Sequence, residues 1–166
     1  MNKVLLNNAI KNCSVFEINN GRNRSISKLY YHSINGEICF LNARKIKIDR
    51  TDFKQQIADE YFENTILEIT FQYTNLCKAC NDIDIFINNG CFLVDEEGYK
   101  FEVISMNEGL TYDEGWEKYG IGKEEKLGYF IPKVKQIEKL YFLIPNDEAS
   151  YFLQIEHSNF KEKMLI

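Results

Sequence analysis

Apolar and polar residues alternate without interruption from Leu67 to Thr74. Successive side chains of a β-strand point to opposite faces, so a period of two indicates a strand with one buried face. On a helix the same residues would spread over every face. The apolar set is Leu67, Ile69, Phe71 and Tyr73, and the polar set is Glu68, Thr70, Gln72 and Thr74. The segment therefore predicts a strand, and a strand needs a sheet around it.

Shorter strand patterns, separated by turn residues, follow this segment. They cover residues 83–87, 91–94, 99–103, 127–132, 137–144 and 151–155. The acidic sequence Asp-Glu-Glu-Gly at 95–98 predicts a tight turn with Gly98 at positive φ. Four strands within about forty residues leave no room for crossover helices, so neighbouring strands are expected to be antiparallel.

The N-terminal third is less regular. Residues 13–18 alternate weakly, and residues 26–34 and 37–48 flank Asn35-Gly36. Both Asn and Gly tolerate the positive φ of a two-residue turn, so this arrangement predicts a hairpin. Residues 51–62 are the best helix candidate, because apolar residues recur there at a spacing of four behind a capping Thr or Asp, although part of the segment could belong to the strand that follows.

Two further segments lack a strand pattern. Residues 105–126 contain four glycines and the only tryptophan, which predicts a long loop. Residues 157–166 are predicted to be a charged tail that is frayed or loosely helical.

Length and charge exclude several classes of protein. A chain of 166 residues with 45% hydrophobic residues fits one globular domain with a real core. Its net charge of −5 argues against a nucleic-acid partner. No stretch approaches the roughly 20 apolar residues of a membrane helix, so no membrane insertion is expected. The sequence as written shows no export signal, which indicates the cytoplasm, or an extracellular or cell-surface location if a signal has been removed.

Three stretches of the second half resemble bacterial immunoglobulin-like domains of unknown function that occur in lipoproteins and surface antigens. They are ILEITFQYTN (66–75), FLVDEEGYKF (92–101) and LYFLIPND (140–147). The resemblance covers about residues 60–156 and implies an immunoglobulin-like sandwich. It brings no catalytic motif with it, because such sandwiches carry many functions.

The predicted fold class is therefore all-β, mainly antiparallel: an immunoglobulin-like β-sandwich with an extra N-terminal hairpin and one short helix. We expect a single domain over residues 1–156. It consists of an extension with the hairpin at 1–58 and a core at 60–156, followed by the tail at 157–166.

Binding residues are expected in the loop of residues 105–126, because sandwich loops gather contact residues and Trp and Tyr serve as contact anchors. The candidates are Tyr112, Asp113, Glu114, Trp116, Glu117 and Tyr119. The simpler alternative is that Trp116 folds back to cover the open end of the core. If Trp116 is exposed instead, the loop is expected to contact another protein or a glycan.

Metal sites have two weak candidates. Cys77 and Cys80 form a Cys-x-x-Cys sequence, which is half of a zinc site without a second half, or a thioredoxin-like redox motif that should begin a helix after a strand. The simpler interpretation is two thiols in a turn between two strands. An odd total of five cysteines likewise indicates reduced thiols. Carboxylates at Asp82, Asp84 and 95–97 would suit calcium if their turns converged, but acidic turns are usually just solvated. No metal and no cofactor is predicted.

No nucleophile elbow, phosphate loop or His-paired nucleophile occurs in the sequence. The sequence thus favours a non-enzymatic binding or protein-interaction module. Two alternatives stay open: a hydrolase that uses carboxylates near the 105–126 loop, and a self-assembling structural protein that pairs through an edge strand.

Overall fold

A computed structural model describes residues 26–31, 34–82, 91–106, 114–122, 126–157 and 160–165. Its ten described strands are β1 (Ile26–Tyr31), β2 (Ile34–Ile46), β3 (Thr65–Asn75), β4 (Asn81–Asp82), β5 (Cys91–Asp95), β6 (Lys100–Met106), β7 (Tyr129–Phe130), β8 (Lys135–Ile144), β9 (Tyr151–His157) and β10 (Phe160–Leu165). Its described helices are a 3-10 turn at Arg50–Asp52, α1 (Glu60–Glu63) and α2 (Glu114–Lys118). The predicted all-β class is confirmed, and neighbouring long strands are antiparallel as expected.

Strand β6 joins the two layers of the fold. The sheet order is β1-β2-β3-β8-β6-β5-β9-β10, and β4 and β7 form a separate ribbon. The first half of β6 pairs with β5 and its second half pairs with β8, with a register shift between Val103 and Ser105. Strands that change sheets through such irregularities are a common way to turn a sandwich corner. Side chains of β3 and β8 meet those of β5 and β9 in one core, so the two halves of the sheet face each other.

Strand β3 lies at the centre of one layer, between β2 and β8. Its apolar set points into the sandwich core as the alternation predicts. The opposite face of β3 is also covered, and even Glu68 there is only 4% exposed.

The cover of that outer face is a second hydrophobic cluster that the sequence did not predict. It is built on Ile46, Ile48, Ile66, Trp116, Ile121 and Tyr141. The half-buried side chains of Phe53, Ile57, Tyr61, Phe62, Tyr119 and Leu143 pack against it. We call the segments that carry this cover, Asp49–Glu63 and Glu114–Gly122, the outer layer. The outer layer thus covers the outer face of β3 at Ile66 and of the second half of β8 at Tyr141.

The predicted hairpin forms with a different turn. Tyr31 pairs with Ile34 and Asn35-Gly36 lies within β2, so these two residues do not form the turn. A Cβ on Gly36 would come within 2.3 Å of the Tyr73 ring. A glycine is therefore needed at position 36 because a core ring lies against it, and the prediction that Gly36 forms the turn is wrong.

The helix prediction for residues 51–62 is wrong over most of its length. Only the 3-10 turn at Arg50–Asp52 and the single turn of α1 are helical, and an irregular chain joins them. The spacing of Phe53, Ile57 and Tyr61 nevertheless has a cause, because all three pack in the outer layer. Apolar contacts at that spacing arise here from an irregular chain over a flat sheet.

Two more predictions are corrected. The 105–126 segment contains the end of β6 and helix α2, so it is not wholly a loop. The tail forms a strand: β10 pairs with β9 from Phe160↔His157 to Leu165↔Phe152. The predicted strands at 13–18 and 83–87 lie outside the described residues.

Candidate functional site

Helix α2 is fastened to the segment Asp49–Lys54 by charged and polar contacts. Lys118 pairs with Asp52 at 2.7 Å, and Lys54 pairs with Glu114 at 2.6 Å. The Tyr119 hydroxyl donates to Asp52 and accepts from the Asp49 backbone N–H at 2.8 Å. These polar contacts thus join the two segments of the outer layer around its apolar centre.

Trp116 occupies that centre and is fully buried. Its ring makes edge contacts with Phe53 and Tyr61 at centroid distances of 5.0 and 5.6 Å. Trp116 is buried, as the simpler alternative expected, but it covers the apolar outer face of β3 and β8 and not the open end of the core. Trp116 is therefore not available as a surface contact.

The remaining candidates of this segment divide into two groups. Glu114 and Glu117 are exposed, and Tyr119 is half-buried with its hydroxyl engaged by Asp52. Tyr112 and Asp113 lie outside the described residues. The structure thus gives most of the described candidates a part in holding the outer layer together.

Hydrogen bonds set the ionisation of this region. Bonds from Lys118, first, and from Tyr119 lower the pKa of Asp52. The backbone and hydroxyl of Thr51 lower the pKa of Asp49. Both groups are therefore carboxylates at neutral pH, as acceptors of several hydrogen bonds should be.

Arg44 of β2 connects the sheet to the outer layer. Arg44 donates through Nε and Nη2 to the two carboxylate oxygens of Glu68, at 2.8 and 2.9 Å. Its Nη2 also reaches the carbonyl of Tyr119 at 3.1 Å. The hydrogen bond from Arg44 to Glu68 raises the pKa of the guanidinium, which stays charged. This pairing compensates the burial of the Glu68 carboxylate on the outer face.

The Cys-x-x-Cys sequence lies in the turn after β3. Asn75 organises this turn: its side chain accepts from the Cys77 N–H at 2.9 Å and donates to the Ala79 carbonyl at 2.9 Å. Cys77 is half-buried and Cys80 is exposed, and neither forms a disulfide. The position after β3 agrees with the simplest of the three sequence interpretations, two thiols in a turn between strands.

A second site, which the sequence did not single out, lies at the end of the sandwich where β5 meets β6 and β8 meets β9. A cleft of about 510 Å³ opens there. Its lining residues are Asp95, Glu96, Glu97, Tyr99, Lys100, Phe101, Pro145, Asp147 and Ala149. We call it the acidic cleft, because four carboxylates stand against one lysine.

Two of the four carboxylates build the walls of the acidic cleft. Asp95 accepts from the backbone N–H groups of Glu97 and Tyr99 at 3.0 and 2.9 Å, which closes the turn that the sequence predicted. Gly98 of that turn has φ +95°, also as predicted. Asp147 does the same for the other wall by accepting from the N–H of Ala149 at 3.1 Å.

The floor of the acidic cleft is apolar. Phe101 packs edge-on against Tyr151, whose hydroxyl donates to Asp147 at 2.9 Å. Burial and then Asp147 raise the pKa of the Tyr151 phenol, so it stays protonated and donates to the wall. Tyr99 stands at the rim with 64% of its surface exposed.

The two turns that form this cleft are far apart in the sequence. The sequence predicts each of them, at 95–98 and at Pro145-Asn146-Asp147. What joins them is the pairing of β5 with β9, which sets Asp95 opposite Tyr151. Strand order, which local patterns do not encode, was the missing information.

The part of the chain that the structure describes contains no group of three or more His, Cys, Asp or Glu placed to hold a metal ion. Asp84 of the calcium candidate lies outside the described residues, and the Asp95 carboxylate is occupied by its own turn. Among the described helices none is long and apolar enough to cross a membrane.

Solved structures share the fold. An uncharacterized β-sandwich protein from Clostridium difficile 630 aligns with a TM-score of 0.51 and 12% identity, over 95% of this chain and 97% of that one. A "putative lipoprotein" from Bacillus subtilis subsp. subtilis strain 168 aligns with a TM-score of 0.52 and 10% identity, over 87% of this chain but 39% of that one. At these identities the likeness shows the β-sandwich fold alone. The sequence matches no family model and no curated protein sequence.

Proposed function

We propose that the protein is a non-enzymatic binding module that holds a basic segment of another protein in the acidic cleft. The observation that carries the proposal is the cleft itself, which combines an acidic rim with an apolar floor. Lysine and arginine side chains have the matching construction, a charged head on an apolar stem.

The rim supplies the charge. Glu96 and Glu97 are exposed at the tip of the β5–β6 turn, while Asp95 and Asp147 are bound by their own turns. Charges on a rim mainly speed association and select the sign of the partner's charge. The four lining carboxylates outnumber Lys100 and the neighbouring Lys45, whose ammonium contacts the Asp147 carbonyl at 3.4 Å, so the rim favours a cationic protein segment over a neutral glycan.

The floor and Tyr99 supply the contact area. Phe101, Pro145 and Ala149 offer apolar surface to the stem of a basic side chain. The exposed Tyr99 ring at the rim suits a cation above its face, an arrangement worth about 0.5–1 kcal/mol at exposed sites. Tyrosine is also among the residues that dominate protein interfaces.

A calorimetric titration with a hexalysine peptide at low salt tests the proposal. We expect the intact protein to bind hexalysine and to ignore hexaglutamate, and added salt should weaken the binding by screening. Glu97→Lys should reduce the affinity about tenfold, which corresponds to about 1.4 kcal/mol. Glu63→Lys is the matched control, because Glu63 is an exposed carboxylate on α1, which belongs to the outer layer. Equal affinities of the two variants, or equal binding of both peptides, count against the acidic cleft.

The binding role expected for Glu117, Tyr112 and Asp113 stays a prediction. The hydrolase alternative has less support, because Glu114 is engaged by Lys54 and the described contacts of this segment are structural. The finer assignment of the sandwich as immunoglobulin-like also remains our proposal. It is supported by the three sequence stretches, which form β3, the β5–β6 hairpin and β8. An experimental structure with a different strand order would overturn it.

Self-assembly is the second candidate, and one observation favours it. Exposed apolar side chains at Leu127, Tyr129, Val134 and Ile137 lie around β7 and the start of β8. Lys133 and Lys135 accompany them, and the acidic cleft lies at the far end of β8. A second copy of the chain would thus meet opposite charge head to tail. Light scattering over a range of concentrations tests this candidate, and a strict monomer at high concentration excludes it.

A further inference from the structure

We propose that Cys77 and Cys80 are a disulfide-forming modification site that reacts with small-molecule disulfides. The proposal starts from the unequal surroundings of the four described cysteines. Cys39 and Cys91 are buried, at 7% and 3% exposure, whereas Cys77 is half-buried and Cys80 is exposed. Access to solvent is a first requirement for thiol exchange, so only the second pair meets it.

Hydrogen bonds fold the segment that carries Cys77 and Cys80 back on itself. The Asn75 side chain binds the Ala79 carbonyl and the Cys77 N–H, and it accepts from Asn81 at 3.3 Å. The Asn81 amide in turn approaches the Cys77 sulfur at 3.6 Å. The chain therefore curls back on itself within residues 75–81, and Cys80 is the residue next to Asn81. A disulfide needs Cα atoms about 4.4–6.8 Å apart. We infer that the bend at residues 77–79 lets Cys77 and Cys80 reach that separation.

The turn can close without disturbing the core. Asn75 itself is anchored by donating to the Phe130 carbonyl at 2.9 Å, and Leu76 N–H binds the Asn35 carbonyl. Residues 78–80 are exposed. A new bond between residues 77 and 80 thus replaces the contact of the Cys77 thiol with the Asn35 carbonyl at 3.8 Å and otherwise rearranges exposed chain beyond a fixed anchor.

The chemistry differs from that of thioredoxin-type enzymes. In those enzymes the motif begins a helix, whose dipole and orphan N–H groups stabilise a thiolate. Here the pair lies in a turn, so we infer that the two thiols react because they are near each other, and not because either is an activated nucleophile. The structure therefore points to a site that is oxidised by exchange, not to a catalyst of oxidation.

The exchange proceeds in two steps with glutathione disulfide as the oxidant. The exposed Cys80, as thiolate, attacks one sulfur of glutathione disulfide, which gives a mixed disulfide and releases one glutathione thiolate. Cys77 loses its proton to water and attacks the Cys80 sulfur, which forms the Cys77–Cys80 bond and releases the second glutathione. Two electrons pass from the protein to the two glutathione molecules.

Intact-mass spectrometry of the folded chain after exposure to glutathione disulfide tests the proposal. Cys13 lies outside the described residues, so the experiment uses a Cys13→Ser background. We expect the background protein to lose two hydrogens without accumulating an adduct, and peptide mapping should place the bond between Cys77 and Cys80. Cys77→Ser should instead retain one glutathione on Cys80, and Cys80→Ser should react several-fold more slowly because the half-buried thiol must attack first.

The buried cysteines are the internal control. Burial raises the pKa of the Cys91 thiol to about 12, so it is protonated and shielded in the folded protein. Cys39 and Cys91 should react only after denaturation. A stable adduct on Cys80 in the background protein would overturn the proposal. A Cys77–Cys80 bond that forms no faster in the folded chain than in urea would also overturn it.

Discussion

Gly36 is the residue at which local and tertiary demands are easiest to separate. It stands in β2, paired with Leu29 on one side and Asn75 on the other. The Tyr73 ring passes directly over it, and that ring is fully buried between the strands and Phe130. A hydrogen atom is the largest substituent that this contact admits.

Replacing Gly36 by alanine should therefore cost stability. The added methyl would meet Tyr73 at 2.3 Å, and the ring is held in the core, so backbone or ring must shift. Overpacking of this kind costs about 1–3 kcal/mol. Urea unfolding measures the loss of unfolding free energy. Gly128→Ala is the matched control, because its Cβ would meet nothing within 4 Å. Equal stability of the two variants would show that Tyr73 does not require the glycine.

The sequence shows why this role was missed. Asn35-Gly36 has the chemistry of a hairpin turn, and a hairpin is indeed present. Nothing local distinguishes a glycine needed for positive φ from one needed for close approach. The difference depends on Tyr73, which lies 37 residues later and reaches β2 only through the β2–β3 pairing.

At the scale of elements, the outer layer depends on tertiary contacts. Helix α2 has five residues and α1 has four. Helices this short do not form alone, because nucleation costs more than so few hydrogen bonds return. Trp116 packing and the ion pairs to Lys54 and Asp52 hold α2 instead. Sequence periodicity predicted the strands well, since each carries its own pattern, and it failed for the segments whose form is imposed by a neighbour.

Acid should loosen the outer layer. The folded pKa of Asp52 is lower than its unfolded value, so its stabilising contribution is present above about pH 4 and is lost as pH falls through the folded pKa. Asp49 acts in the same direction. Trp116 is the only tryptophan, so its fluorescence reports this layer alone.

Iodide quenching of Trp116 measures the effect. We expect a shielded indole at neutral pH and increasing quenching below about pH 4. Asp52→Asn should flatten this pH dependence, because the amide does not titrate. Identical quenching profiles for the two proteins would show that Asp52 does not hold the layer.

The whole molecule is a β-sandwich with an outer layer on one face and an acidic cleft at one end. The strand segments β3, β5, β6, β8 and β9 were predictable from alternation and turn residues. The change of sheets within β6 and the pairing of β5 with β9 were not, because both join residues that are distant in sequence. The acidic cleft depends on that pairing, which is why the sequence pointed to residues 105–126 instead.

Backbone amide shifts during a titration with hexalysine test the acidic cleft most directly. If the acidic cleft binds the peptide, the shifted amides will cluster at Asp95–Lys100 and at Asp147–Ala149, and the amide shifts of Glu114–Lys118 will not change. Shifts centred on Glu114–Lys118, or an unchanged spectrum at saturating peptide, would contradict it.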